Sequence, residues 1–142
     1  MILNVHEVFD KFVNASTIEE KKQVLLNNQF QHIKEVLKYT FNPNYQFYVE
    51  DNFPEDYIKP DTFPGLRVAG IESEIRKAYL FQKGNVTAES LTPQKRKTLL
   101  LQLLESFEPK EAQIFHNMLQ KDLKVEGLTK ELVEEVFPEL MK

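Results

Sequence analysis

Leu3, Val5, Val8, Phe9, Phe12 and Val13 recur at the three-and-four spacing of one helical face, so the chain opens on an amphipathic helix. A polar stretch at 14–17 ends it. Ser16 with Glu19, or Thr17 with Glu20, then offers a capping pair for a second helix that runs through Leu26. Phe30, Ile33, Leu37 and Phe41 mark the inward stripe of a third. Asn42-Pro43 stops that helix, because proline has no N–H to donate and restricts the residue before it.

The pattern changes between 44 and 66. "YQFYV" alternates in short strand fashion, and "DNFPEDYIKPDTFPG" mixes three prolines and several acids with aromatic residues. This composition predicts an extended segment pinned by aromatics rather than a sheet. Phe53, Tyr57 and Phe63 either dock on the helices or form a partner site; docking is the expectation, since so many aromatics seldom stay exposed.

Helical spacing returns with Ile71, Ile75, Ala78, Tyr79 and Phe81, ending at Gly84. Thr92-Pro93 reads as an N-cap followed by proline at the first helical position, with Leu99, Leu100, Leu103 and Leu104 on the apolar face. Glu108-Pro109 starts another helix, with Ala112, Ile114, Phe115, Met118 and Leu119 inward. A last helix runs from about Thr129 to Phe137, before Pro138. The sum is an all-α, single-domain bundle over 1–142, of about seven helices with one irregular excursion near 44–66.

Composition narrows the chemistry. A length of 142 residues suits one domain, and 42% hydrophobic with 28% charged residues is a globular balance. No cysteine is present, which removes disulfides and thiolate metal sites. His6, His32 and His116 lie too far apart for a metal motif, and each is expected to be a surface or satisfied core residue. The four glycines are scattered, no nucleophile-elbow, zinc-protease or calcium-loop motif occurs, and Glu134-Glu135 reads as a solvated helix face. No catalytic residue, metal or cofactor is therefore expected, and the chain reads as a non-enzyme. The N-terminus holds no continuous apolar run, so neither a signal peptide nor a membrane span is expected, and a cytoplasmic protein is.

Charge is unevenly spread. The net charge is −4, but residues 66–104 hold 7 Lys/Arg against 3 Asp/Glu, between acidic flanks of 6 against 10 and 5 against 9. Lys95, Arg96 and Lys97 fall in the first turns of a helix, where cations oppose the helix dipole. They are either relieved by an anionic partner or simply solubilising. Arg76 and Lys77 belong to the same basic third. In "KDLKVEGLTKE", Gly127 permits a tight turn whose following amides can face a phosphate, and Lys121, Lys124 and Lys130 add charge. Such a turn is common between helices.

The stretch "LLQLLESFEPKEAQIFHNMLQKDLKVEGLTKELVEEVFPEL" resembles the end of the N-terminal helical DNA-binding domain of phage ATP-dependent DNA ligases of the T-even type. Lys121-Asp122-Leu123, Gly127, Thr129 and Phe137-Pro138 match that family's helix end, turn, hydroxyl residue and closing aromatic-proline pair. "KKQVLLNNQFQHIKEVLKYTFNPNYQFYV" is similar to its opening helices. The resemblance implies a helical domain that grips the duplex backbone across the minor groove, reading phosphates more than bases. Its contacts here would be Arg76, Lys77, Lys95, Arg96, Lys97, Lys121, Lys124 and Lys130, with Gly127 and Thr129 as backbone and hydroxyl donors. Two departures stand out: Glu126 sits beside the expected phosphate contact, and no Lys-x-Asp-Gly adenylation motif exists. The implied protein is a stand-alone, phage-encoded relative that binds double-stranded DNA weakly and without sequence preference. The alternatives are a module docking on a replication, transcription or host protein, or a virion or assembly component. No membrane partner is expected.

Overall fold

The computed structural model describes residues 2–59 and 70–142. The described part is all-α. Its helices are α1 (Val5–Asn14), α2 (Ile18–Asn27), α3 (Gln31–Phe41), the one-turn α4 (Ile71–Glu74), α5 (Val86–Ser90), α6 (Pro93–Ser106), α7 (Pro109–Leu119) and α8 (Lys130–Val136). A 3₁₀ stretch, Ile75–Phe81, continues α4, and a 3₁₀ turn, Pro138–Met141, follows α8.

Helix starts follow local chemistry. The hydroxyls of Thr17, Thr92 and Thr129 accept from the amides of Glu20, Lys95 and Leu132, each satisfying a donor that the first turn leaves free. Of the two capping pairs open at the start of α2, Thr17 is therefore the cap, and Glu20 reaches back to the Ser16 amide. Asn4 and Glu7 form a reciprocal capping box at α1.

α7 is the centre of the bundle and packs against α1, α3, α4 and α6. Ala112, Phe115, Met118 and Leu119 are buried on it, and so are Glu111, His116 and Asn117. Only Lys110 and Gln113 of this helix are exposed, so the polar groups on its other faces need partners inside the protein. Glu111 accordingly accepts from the His6 amide (2.8 Å), the His6 ring (3.0 Å) and the Ile71 amide (3.2 Å). Asn117 accepts from Gln113 and donates to the Leu123 carbonyl. α8 packs on α2 and α3, and the last 3₁₀ turn packs on α3. There the buried Asn42 amide donates to the Leu140 carbonyl at 2.9 Å.

The segment after α3 is extended. Phe47 pairs with Gln82 in a single antiparallel bridge, and Tyr48 and Lys83 donate across it to Phe81 and Gln46, both at 2.7 Å. Phe53 packs edge-on between Tyr57 (4.9 Å) and His116 (5.4 Å), so these two aromatics dock as expected. Phe63 lies outside the described residues.

Candidate nucleic-acid interface and the neighbouring cleft

The cations singled out in the sequence divide into two sets. Lys121 and Arg96 turn inward. At the end of α7 the backbone takes a positive φ of 67° at Lys121, and its ammonium donates to the carbonyls of Tyr39, Asn42 and Tyr45 at 2.6, 2.8 and 2.6 Å. Those oxygens lie at and just beyond the C-terminus of α3, where carbonyls lack intrahelical donors and the dipole favours a cation. Burial pushes the Lys121 ammonium down to about 8. The three carbonyls oppose that loss, and the group stays charged at neutral pH.

Arg96 does for α5 what Lys121 does for α3. Its Nη1 donates to the Ala88 and Leu91 carbonyls at 3.0 and 2.8 Å, and the guanidinium lies 4.0 Å from the centre of the Tyr48 ring. The adverse placement of this cation early in α6 is thus relieved inside the protein, with no outside anion. Lys21, not anticipated in the sequence, caps α1 through the Phe12 and Val13 carbonyls (2.9 and 3.3 Å). The Lys121 ammonium and Nη1 of Arg96 are thus engaged within the fold rather than pointing free into solvent.

The remaining cations face outward. Lys95, Lys124, Lys130 and Arg76 are exposed, and no ion pair among the described residues holds them. Lys77 is paired with Glu74 at 2.7 Å, and Lys97 faces Glu50 at 3.9 Å. Lys124 takes a φ of 57° and Gly127 one of 84°, so the turn between α7 and α8 holds three left-handed residues in seven positions. Asp122 accepts from the Lys124 amide at 3.1 Å and fixes its bend. Gly127 lies against the Lys21 side chain and the Phe12 ring, so the turn rests on α1 and α2. Thr129 spends its acceptor on the Leu132 amide. Lys121, Asp122, Lys124 and Glu126 rim a shallow hollow of about 300 Å³ floored by Phe41, Leu123 and Leu128. The two carboxylates there oppose any phosphate.

A second hollow, of about 490 Å³, separates the 47–56 segment from α6. Its lining carries Lys83, Arg96 and Lys97 together with Glu50, Glu55 and Asp56. Phe47, Leu100, Leu101 and His116 form its apolar part. It shares no lining residue with the hollow at the turn. The sequence alone predicts a surface or satisfied core residue at His116. Its side chain is 1% exposed, yet Nδ1 has no hydrogen-bond partner among the described residues. Burial lowers the affinity of the imidazole for a proton, against the opposing Glu50 carbonyl. The group is neutral at neutral pH.

No group of three or more His, Cys, Asp or Glu among the described residues is placed to hold a metal ion. No helix there is long and apolar enough to cross a membrane. One family, described as a family of unknown function (DUF6433), matches residues 8–125. No curated protein matches the chain.

Proposed function

We propose, for a chain that belongs to the family of unknown function DUF6433, a non-catalytic role as a sequence-independent duplex-DNA-binding or tethering module. The observation that carries this reading is the turn between α7 and α8. Lys121 pins it from inside through three carbonyls, while Lys124 and Lys130 stay exposed on its outer side. A rigid turn presenting cations meets phosphates without having to be ordered on binding. The ligase-like spacing of Lys121-Asp122-Leu123, Gly127 and Thr129 supports the same reading. The contact set narrows to Lys124 and Lys130 on the turn, Lys95 and Lys97 at the start of α6, and Arg76 and Lys77 on the 3₁₀ stretch. Asp122, Glu126 and the net charge of −4 keep binding weak.

The test is an electrophoretic shift with nicked and intact duplex across a salt series. Binding should weaken steeply with salt, because each neutralised phosphate releases counterion. Replacing Lys95 and Lys97 together by Ala should flatten the slope of log K against log salt by roughly two units. Glu126→Gln should tighten binding by removing a like charge from the turn. If neither wild type nor Glu126→Gln shifts duplex at low salt, the reading fails and a protein-docking role replaces it.

A further inference from the structure

We propose that residues 50–58 form a strap over α6 and α7 that opens as a unit, and that a proton taken up by His116 beneath it releases it. The device goes beyond the duplex reading and stands without it.

The strap is fixed at one end and lightly tied along its length. Upstream, the buried Phe47 and its bridge to Gln82 hold the chain in place. Beyond that point, among the described residues, three hydrogen bonds join the strap to the helices. Nε2 of Gln120 donates to the Glu50 carbonyl at 3.3 Å and to the Asp51 carbonyl, and the Ile58 amide donates to Glu105 at 2.8 Å. All three are exposed, so water competes for each. The Lys97–Glu50 pair at 3.9 Å is exposed on both sides and adds little. A segment held by exposed bonds and few apolar contacts opens locally, before the molecule as a whole.

The apolar hold comes through Phe53, whose ring lies 4.9 Å from Tyr57 and 5.4 Å from His116. Each neighbour carries a buried polar atom with no partner among the described residues: the Tyr57 hydroxyl and Nδ1 of His116. A buried group without a bond destabilises the state that buries it, and water restores the bond on exposure. The same ring that holds the strap down thus shuts two polar atoms away from solvent.

A proton on His116 makes this worse. Burial lowers the affinity of the imidazole for a proton, the Glu50 carbonyl opposes that, and the charges of Lys124 and Glu50 act with opposite signs. Glu55, Asp56, Lys83, Arg96 and Lys97 line the adjoining hollow. With the strap open, the ring meets water and returns to about 6.5. The open form therefore binds the proton more tightly. Closure is fully supported above about 6.5 and is lost as pH falls toward the depressed value of the covered ring, by up to about tenfold in the open-to-closed ratio per pH unit.

NMR on the isotope-labelled full-length chain, from about pH 7.5 to 5, tests the proposal. Relaxation dispersion at the Phe53, Glu55 and Asp56 amides should report an open fraction that rises as pH falls, while the Phe12 and Leu37 amides in the core show no such change. The His116 ring should titrate below the ordinary histidine value. His116→Phe keeps an aromatic face against Phe53 and removes the proton, so it should abolish the pH dependence of the strap. Phe53→Ala, at a half-buried position on the strap itself, should bring the His116 titration back to its ordinary value. An open fraction indifferent to pH, the same pH dependence in His116→Phe, or an unmoved His116 titration in Phe53→Ala would overturn the proposal. So would core amides that respond together with the strap, since the event would then be global unfolding.

Discussion

Lys121 and Lys124 share an unusual backbone, with φ of 67° and 57°, a region that costs a residue with a Cβ roughly 1–2 kcal/mol. They tolerate it for different reasons. Lys124 is exposed and held only through its amide to Asp122. Lys121 is kept there because its ammonium reaches three carbonyls. Lys124→Gly should therefore leave the urea midpoint unchanged or raise it, and Lys121→Gly should destabilise by about 2 kcal/mol through three acceptors left without a donor. The pH dependence of Lys121 has a definite sign. Its pKa falls from 10.5 unfolded to about 8 folded, so between these values the unfolded chain binds more protons. The associated stability is fully present above about 10.5 and lost as pH falls through about 8. The gap in urea midpoint between wild type and Lys121→Met should widen as pH rises from neutral to about 10; a narrowing gap would mean that the carbonyls outweigh burial. Nothing local in "QKDLK" announces this role, because the acceptors come from about eighty residues earlier in the chain (separations of 82, 79 and 76).

Helix starts were legible where a cap and a pattern coincide: Thr17, Thr92 and Thr129 cap where the sequence indicates. The region 71–84 was less so. Reading Ile71, Ile75, Ala78, Tyr79 and Phe81 as one helical face predicts a continuous α-helix, and the structure has one α turn followed by 3₁₀. Ile75, Ala78 and Phe81 are buried at a strict interval of three, the 3₁₀ period, and Tyr79 is 43% exposed. That interval was the available signal. α5 leaves no pattern in the sequence because five residues carry too little periodicity, although Asn85 caps it by accepting from the Thr87 and Ala88 amides. The cation cluster at the start of α6 was legible as a cluster and not as three separate fates, since only packing shows that Arg96 reaches back to α5. Arg96→Ala should lower stability by about 2 kcal/mol through the lost cap and the lost stack on Tyr48, while Lys95→Ala should stay within about 0.5 kcal/mol of wild type. Thermal denaturation of the two variants side by side checks the contrast.

At the scale of the molecule, the apolar core accounts for compaction, and a few polar contacts decide how the helices are joined. Glu111 ties α7 to the start of α1 and the start of α4; Asn42 ties the end of α3 to the last 3₁₀ turn; Lys121 ties the end of α7 to the end of α3. Hydrophobic patterning predicted most of the buried faces, with Val13 and Tyr79 exposed against it, and was silent on these joints, because buried carboxylates and amides have no periodic signature. The joints connect residues 105, 98 and 82 positions apart. We expect contacts that close such long loops to form after the shorter-range helix pairs, because of the loop entropy they must first overcome. Glu111→Ala should cost about 3 kcal/mol by stranding the His6 and Ile71 amides. In stopped-flow chevrons nearly all of that loss should fall on the unfolding limb, with refolding little changed. A slowed refolding limb would instead put Glu111 in the nucleus. On that outcome these joints would govern how long the folded molecule lasts more than how quickly it forms.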